Sequence, residues 1–180
     1  ILKIRSTAIL GSSLGGYLAQ YVAARHPDRV TKLFAANTLH SVKGLDQRPP
    51  YSLDLIKTPI ESIRNGFKSG LNQWADTHPD QFDLVELLLA EVNGRIPESE
   101  LRARLAALKH GPELPAISLR TDDIITIEAD DDPLIPAEMR TAVRARLSPG
   151  QARQFSWGGH FPYVVRPADY TDLIARTMGV

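Results

Sequence analysis

Between the apolar run Ala8-Ile9-Leu10 and a helical pattern that opens at Leu14, the chain places Gly11, Ser12 and Ser13, with Gly15 and Gly16 just beyond. So sharp a passage from strand to helix needs positions without side chains around the turn. The feature therefore restricts the fold to one in which a buried strand hands directly to a helix packed back on its sheet. Leu14, Tyr17, Leu18, Tyr21 and Val22 recur at i, i+3, i+4, i+7 and i+8, an amphipathic helix that ends near His26-Pro27.

Further elements keep that rhythm. "VTKLFAAN" (30–37), "IITIEA" (124–129) and "ARQFSW" (152–157) read as strands. Met139, Val143 and Leu147 share one helical face, and Tyr170, Leu173 and Ile174 begin another. Strands alternating with helices of this length predict an α/β fold with a doubly wound, mostly parallel sheet.

Residues 41–118 break the alternation. They hold the pair Pro49-Pro50, then helical patterns without a convincing strand. Thr77-His78-Pro79-Asp80 reads as a capped helix start, "QFDLVELLLAEV" as a helix stopped at Asn93-Gly94, and Leu101, Leu105 and Leu108 as the face of a third helix. The plain reading is a small helical bundle filling a long connection. Its place between two core strands favours a helical cap over a site at the strand ends. The expected organisation is a core of residues 1–40 and 119–180 with a helical cap, 41–118, inserted.

Composition narrows the function classes. With 21 basic and 21 acidic residues in 180, no basic stripe marks a nucleic-acid partner. No apolar run approaches the roughly 20 residues of a bilayer span. The absence of cysteine excludes disulfides and thiolate metal sites and favours a reducing, cytoplasmic setting.

Gly11-Ser12-Ser13-Leu14-Gly15 fits G-x-S-x-G in the strand-turn-helix context that the pattern requires. A serine at that turn projects above the sheet beside the positive end of the following helix, with Gly11 and Gly15 expected to make room. The amide of Leu14 faces a developing oxyanion there. A glycine-rich turn that packs a helix closely, or cradles a phosphate, is the competing reading. The remaining residues weigh against it. A serine hydroxyl needs a base and the base an orienting carboxylate. Of five histidines, His26 and His78 precede prolines, His40 and His110 lie in or beside the insertion, and His160 sits in "WGGHFPY" just past the last strand. Asp132, in "EADDDPLIP" after the third strand, is the acid candidate; Asp130 and Asp131 compete for that role or for a cap or cation. No compact set of further ligands accompanies the three aspartates, so neither a metal nor another cofactor is expected. Ser13, Asp132 and His160 follow one another at intervals of 119 and 28 residues, room first for the insertion and then for one helix and one strand.

The stretch "ILGSSLGGYLAQYVAARHPDRVTKLFAAN" resembles the elbow, helix and next strand of the α/β-hydrolase superfamily, "ADDDPLIP" its acid loop and "GGHFPY" its histidine loop. The resemblance implies a serine hydrolase that cleaves an ester, less readily an amide, in a small-molecule acyl substrate through an acyl-enzyme. Ser13 would be the nucleophile, His160 the base and Asp132 the orienting acid. A C–C hydrolase or lyase on the same scaffold is a further reading, because fold does not fix chemistry. "GGHFPYVVRPADY" and the helix-rich insertion are most similar to maspardin and its bacterial relatives. That likeness implies a non-catalytic, protein-binding hydrolase relative. Maspardin carries asparagine at the place of His160 and lacks a clear acid at that of Asp132, whereas this sequence keeps both. In the superfamily a second oxyanion donor, often within a His-Gly pair, precedes the elbow. The pair here, His110-Gly111, follows it, and "ILKI" (1–4) resembles the end of the helix before the elbow strand. The resemblance therefore implies a carboxyl-terminal fragment, lacking the early strands and not expected to be robustly active alone.

Overall fold

Two strands form the buried middle of the sheet. In the computed structural model, which describes residues 3–148 and 150–180, every residue of β3 (Ile124–Ala129) is buried, and so are the last four of β2 (Val30–Ala36). Strands covered on both faces lose the alternation of a half-exposed sheet. β1 (Thr7–Ser12) and β4 (Gln151–Phe155) lie at the edges of the four-stranded parallel sheet, ordered β1-β2-β3-β4, and are only partly covered. Ala8-Ile9-Leu10 is thus an edge strand rather than a buried one: Leu10 is 46% exposed, and pairing runs on through Gly11 to Ser12. β4 ends at Phe155, so Ser156 and Trp157 belong to the loop.

Alternate residues of β2 face opposite layers. Leu33 and Ala35 pack with Ala19 and Ala23 of α1 (Leu14–Arg25), Ile124, Val143 of α5 (Ala137–Arg146) and Leu147. Phe34 and Ala36 pack with Ile125, Ile127, Phe155 and Tyr170 of α7 (Pro167–Met178). At about 25 cal/mol per Å² of buried apolar area, these two layers dominate the stabilisation of the core. The buried face of α1 is Gly16, Tyr17, Ala19, Gln20 and Ala23. Leu18 and Val22 of the apolar stripe are 52% and 36% exposed. Small residues permit a closer approach of helix to sheet than the leucines would, and the Gln20 amide nitrogen donates to the Leu39 and Gly16 carbonyls.

The chain divides into two compact units, Ile1–Ser41 with Glu113–Val180, and Val42–Pro112. The second contains α2 (Ile60–Thr77), α3 (Phe82–Ala90) and α4 (Glu98–Lys109). Leu55, Ile63, Leu101 and Leu105 form its core, and the buried Arg64 guanidinium ties α2 to the carbonyls of Val92 and Ile96. Thr77 does not cap the following helix. Its hydroxyl turns back to the Trp74 carbonyl at 3.0 Å, because α2 continues through Thr77. α3 ends at Ala90, and Gly94, at φ 133°, closes the turn beyond it. Of the helix end expected over residues 1–4, Ile1 and Leu2 lie outside the described residues, and Lys3 and Ile4 are not helical. Among the described residues no helix is long and apolar enough to cross a membrane.

Candidate active site

The parallel ladder carries one bond past three of its strands. Ser13 N–H donates to the Ala36 carbonyl (3.0 Å), Asn37 N–H to Ile127 (2.8 Å) and Asp130 N–H to Phe155 (2.9 Å). Each of these loops therefore starts from a fixed point at the carboxyl edge of the sheet, where ligands of open α/β sheets bind.

Ser13 lies between the last residue of β1 and the first of α1 at φ 55°, ψ −122°. A residue with a Cβ pays about 1–3 kcal/mol for such a backbone, which persists only where its surroundings enforce it. Here the Thr38 hydroxyl donates to the Ser13 carbonyl at 2.7 Å, and Tyr17 N–H donates to the same oxygen at 3.1 Å. A Cβ on Gly11 would stand 2.0 Å from the Gly15 carbonyl oxygen, and one on Gly16 would stand 2.6 Å from Thr38 Cβ. The glycines that the turn requires are thus Gly11 and Gly16. Gly15, expected to make room, has no described atom within 4 Å of where its Cβ would be, because it opens toward free space. Leu14 is the first residue of α1, so its N–H belongs to the turn of amides that have no intrahelical acceptor and form the helix's positive end.

The three aspartates separate. Asp130 is exposed, 3.9 Å from Arg140. Asp131 accepts the N–H groups of Gly158 (3.2 Å) and Gly159 (2.8 Å), which stand at φ 144° and 57°. Asp132 faces His160: Nδ1 lies 3.0 Å from Oδ1 and 2.9 Å from Oδ2, with both side chains buried. A carboxylate only accepts, so Nδ1 carries the proton and a neutral ring keeps its lone pair on Nε2. Leu134 and Ile135 N–H donate to Asp132 Oδ1 at 2.8 and 3.0 Å, and Asn37 Nδ2 donates to Oδ2 at 2.8 Å. Burial pushes the Asp132 carboxyl upward. The His160 bond and charge, followed by the Asn37 and Leu134 donors, outweigh it and hold the group below the usual carboxylate range.

The fold thus brings Asp132 to His160 and sets Ser13 at the same edge of the sheet. Among the described residues no hydrogen bond joins the Ser13 hydroxyl to the imidazole. Sequence reasoning missed Asn37 and Thr38, which hold the Asp132 carboxylate and the Ser13 turn. Their only signal is a polar pair at the end of an otherwise apolar strand.

This sheet and elbow define a family. Residues 1–167 match the family model described as alpha/beta hydrolase fold, and the chain belongs to that family. It is 22% identical over 196 residues to a putative carbamate hydrolase RutD of Caulobacter segnis, covering 97% of this chain and 66% of the relative. The chain thus spans just under two thirds of the length of that relative. Among solved structures, a hydrolase from Pseudomonas aeruginosa superposes with a TM-score of 0.74 at 18% identity, covering 99% of this chain and 66% of that one. The enol-lactonase from Burkholderia xenovorans superposes with a TM-score of 0.63 at 15% identity, covering 99% and 67%. These relatives bear hydrolase and lactonase names, and none of them supports the likeness to maspardin expected from the sequence.

Proposed function

We propose that this chain carries the Ser13–His160–Asp132 triad of a serine hydrolase that cleaves an ester-type bond in a small-molecule acyl substrate. The observation that supports this most is the buried imidazole whose Nδ1 is held between both oxygens of Asp132, leaving Nε2 as the base. In this reading Ser13 Oγ attacks the acyl carbon while its proton passes to Nε2. The oxyanion that forms meets the Leu14 N–H, and the leaving group departs with the proton from Nε2. Water then repeats the sequence on the acyl-enzyme and releases the acid. Carbamate hydrolase and enol-lactonase, the names borne by two relatives, both denote an acyl carbon bonded to a heteroatom, the bond this sequence of steps would break.

The test is a fluorophosphonate probe together with a p-nitrophenyl ester series of increasing chain length, on the protein and its Ser13→Ala, Ser12→Ala and His160→Asn variants. Labelling is expected to vanish in Ser13→Ala and to survive in Ser12→Ala, and ester turnover to vanish in His160→Asn with the circular dichroism unchanged. Labelling that survives Ser13→Ala, or equal turnover with and without His160, overturns the triad. A folded protein with neither labelling nor turnover favours the partner-binding reading that the maspardin likeness implies.

A further inference from the structure

We infer that Asn37 is a positioning residue of this site, its one amide group holding the acid and the histidine loop together. The inference rests on the triad reading above. Asn37 is the first residue past β2, 2% exposed, fixed by its N–H on Ile127 and held at φ 39°. Its Nδ2 lies 2.8 Å from Asp132 Oδ2 and 3.3 Å from the carbonyl oxygen of Gly159, the residue before His160. Both partners only accept, so the amide nitrogen must face them; a flipped amide would set oxygen against oxygen. The price of this orientation is visible on the other side, where the buried Oδ1 has no hydrogen-bond partner among the described residues.

The division of donors around Asp132 gives the geometry its purpose. Leu134 and Ile135 N–H hold Oδ1, and Asn37 holds Oδ2. With one oxygen gripped from each side, the carboxylate plane is fixed and the imidazole Nδ1 sits nearly equidistant from both oxygens. Loss of the amide leaves Oδ2 to the imidazole alone and frees the carbonyl of Gly159, loosening both ends of the Asp132–His160 bond. Asn is also among the few residues with a Cβ that tolerate positive φ, so one residue type meets the backbone and the donor requirement together.

Two variants separate those requirements. Asn37→Gly keeps the backbone and removes the donor; Asn37→Asp keeps the shape and turns an acceptor toward Asp132. Two quantities are followed: the rate of fluorophosphonate labelling of Ser13, and the downfield proton resonance of His160 Nδ1–H. The Gly variant is expected to label on the order of 10²-fold more slowly, the scale of an ångström-sized misplacement, with the resonance moved upfield or lost to exchange. The Asp variant is expected to fall further. Parental rate and an unmoved resonance in Asn37→Gly overturn the inference and leave Asn37 a backbone spacer. If circular dichroism shows Asn37→Asp unfolded, the Gly variant decides. Where labelling is too slow to rate, the resonance decides. Labelling that persists in Ser13→Ala overturns the triad and this inference with it, whereas a silent Ser13→Ala beside an unimpaired Asn37→Gly overturns this inference alone.

Discussion

The two halves of the candidate site are held by different physics. The elbow is held by shape: Gly11 and Gly16 leave no space for a side chain, and the Ser13 backbone is forced into a strained region by its neighbours. The acid–imidazole half is held by hydrogen bonds: Asp132 accepts from four donors, and Asp131 grips the two glycines before His160. A shape constraint tolerates changes of polarity but no added atom. A hydrogen-bonded constraint tolerates changes of bulk better than the loss of a charge.

The largest expected effect sits in the hydrogen-bonded half. Asp132→Asn should lower ester turnover on the order of 10⁴-fold, because an amide can present its N–H to Nδ1 and favour the wrong tautomer. The same variant should flatten the acid limb of thermal stability. A carboxyl held low in the folded state stabilises it above its unfolded pKa, and that contribution is lost as pH falls through the lowered value. An acid limb identical to that of the parent would count against the Asp132 geometry. In the elbow, Gly11→Ala should destabilise by about 3 kcal/mol, at the upper end for overpacking, since the atom 2.0 Å away is backbone and cannot move aside. Denaturant melts measure it, and a loss below about 1 kcal/mol would show that the turn is softer than described. Asp131→Asn keeps an oxygen for one of its two N–H partners and should slow turnover only several-fold, near the 1 kcal/mol of one hydrogen bond. A drop as deep as that of Asp132→Asn would reassign the acid. Smallest is Gly15→Ala, which should leave labelling intact and raise stability by up to about 1 kcal/mol, as Ala does for Gly in a helix with free space beside it.

Legibility in the sequence followed the same contrast. "IITIEA" is legible to the residue because its β-branched residues mark a strand even though Thr126 and Glu128 are buried along with them. The buried face of α1 was not read correctly, since its closest contacts are made by Gly16, Ala19 and Ala23, and hydropathy ranks Leu18 and Val22 above them. Within the elbow, the pattern identifies a glycine-flanked serine but not which glycine is crowded; that depends on Thr38, 22 positions beyond Gly16. Among the aspartates, adjacency in the sequence hides three different partners, which emerge only when the loop turns each carboxylate another way. Asn37 was illegible because its partners, Asp132 and Gly159, lie 95 and 122 residues away.

The order of the sheet has a consequence in time. Its strands lie side by side in the order in which the ribosome makes them. Each arriving strand can therefore dock on the edge left by its predecessor, as domains begin to form from the amino-terminal side during synthesis. Ser13 follows the first strand of this sheet, Asp132 the third and His160 the fourth. On the triad reading proposed above, Ser13 would meet its base only once the fourth strand of this sheet has docked.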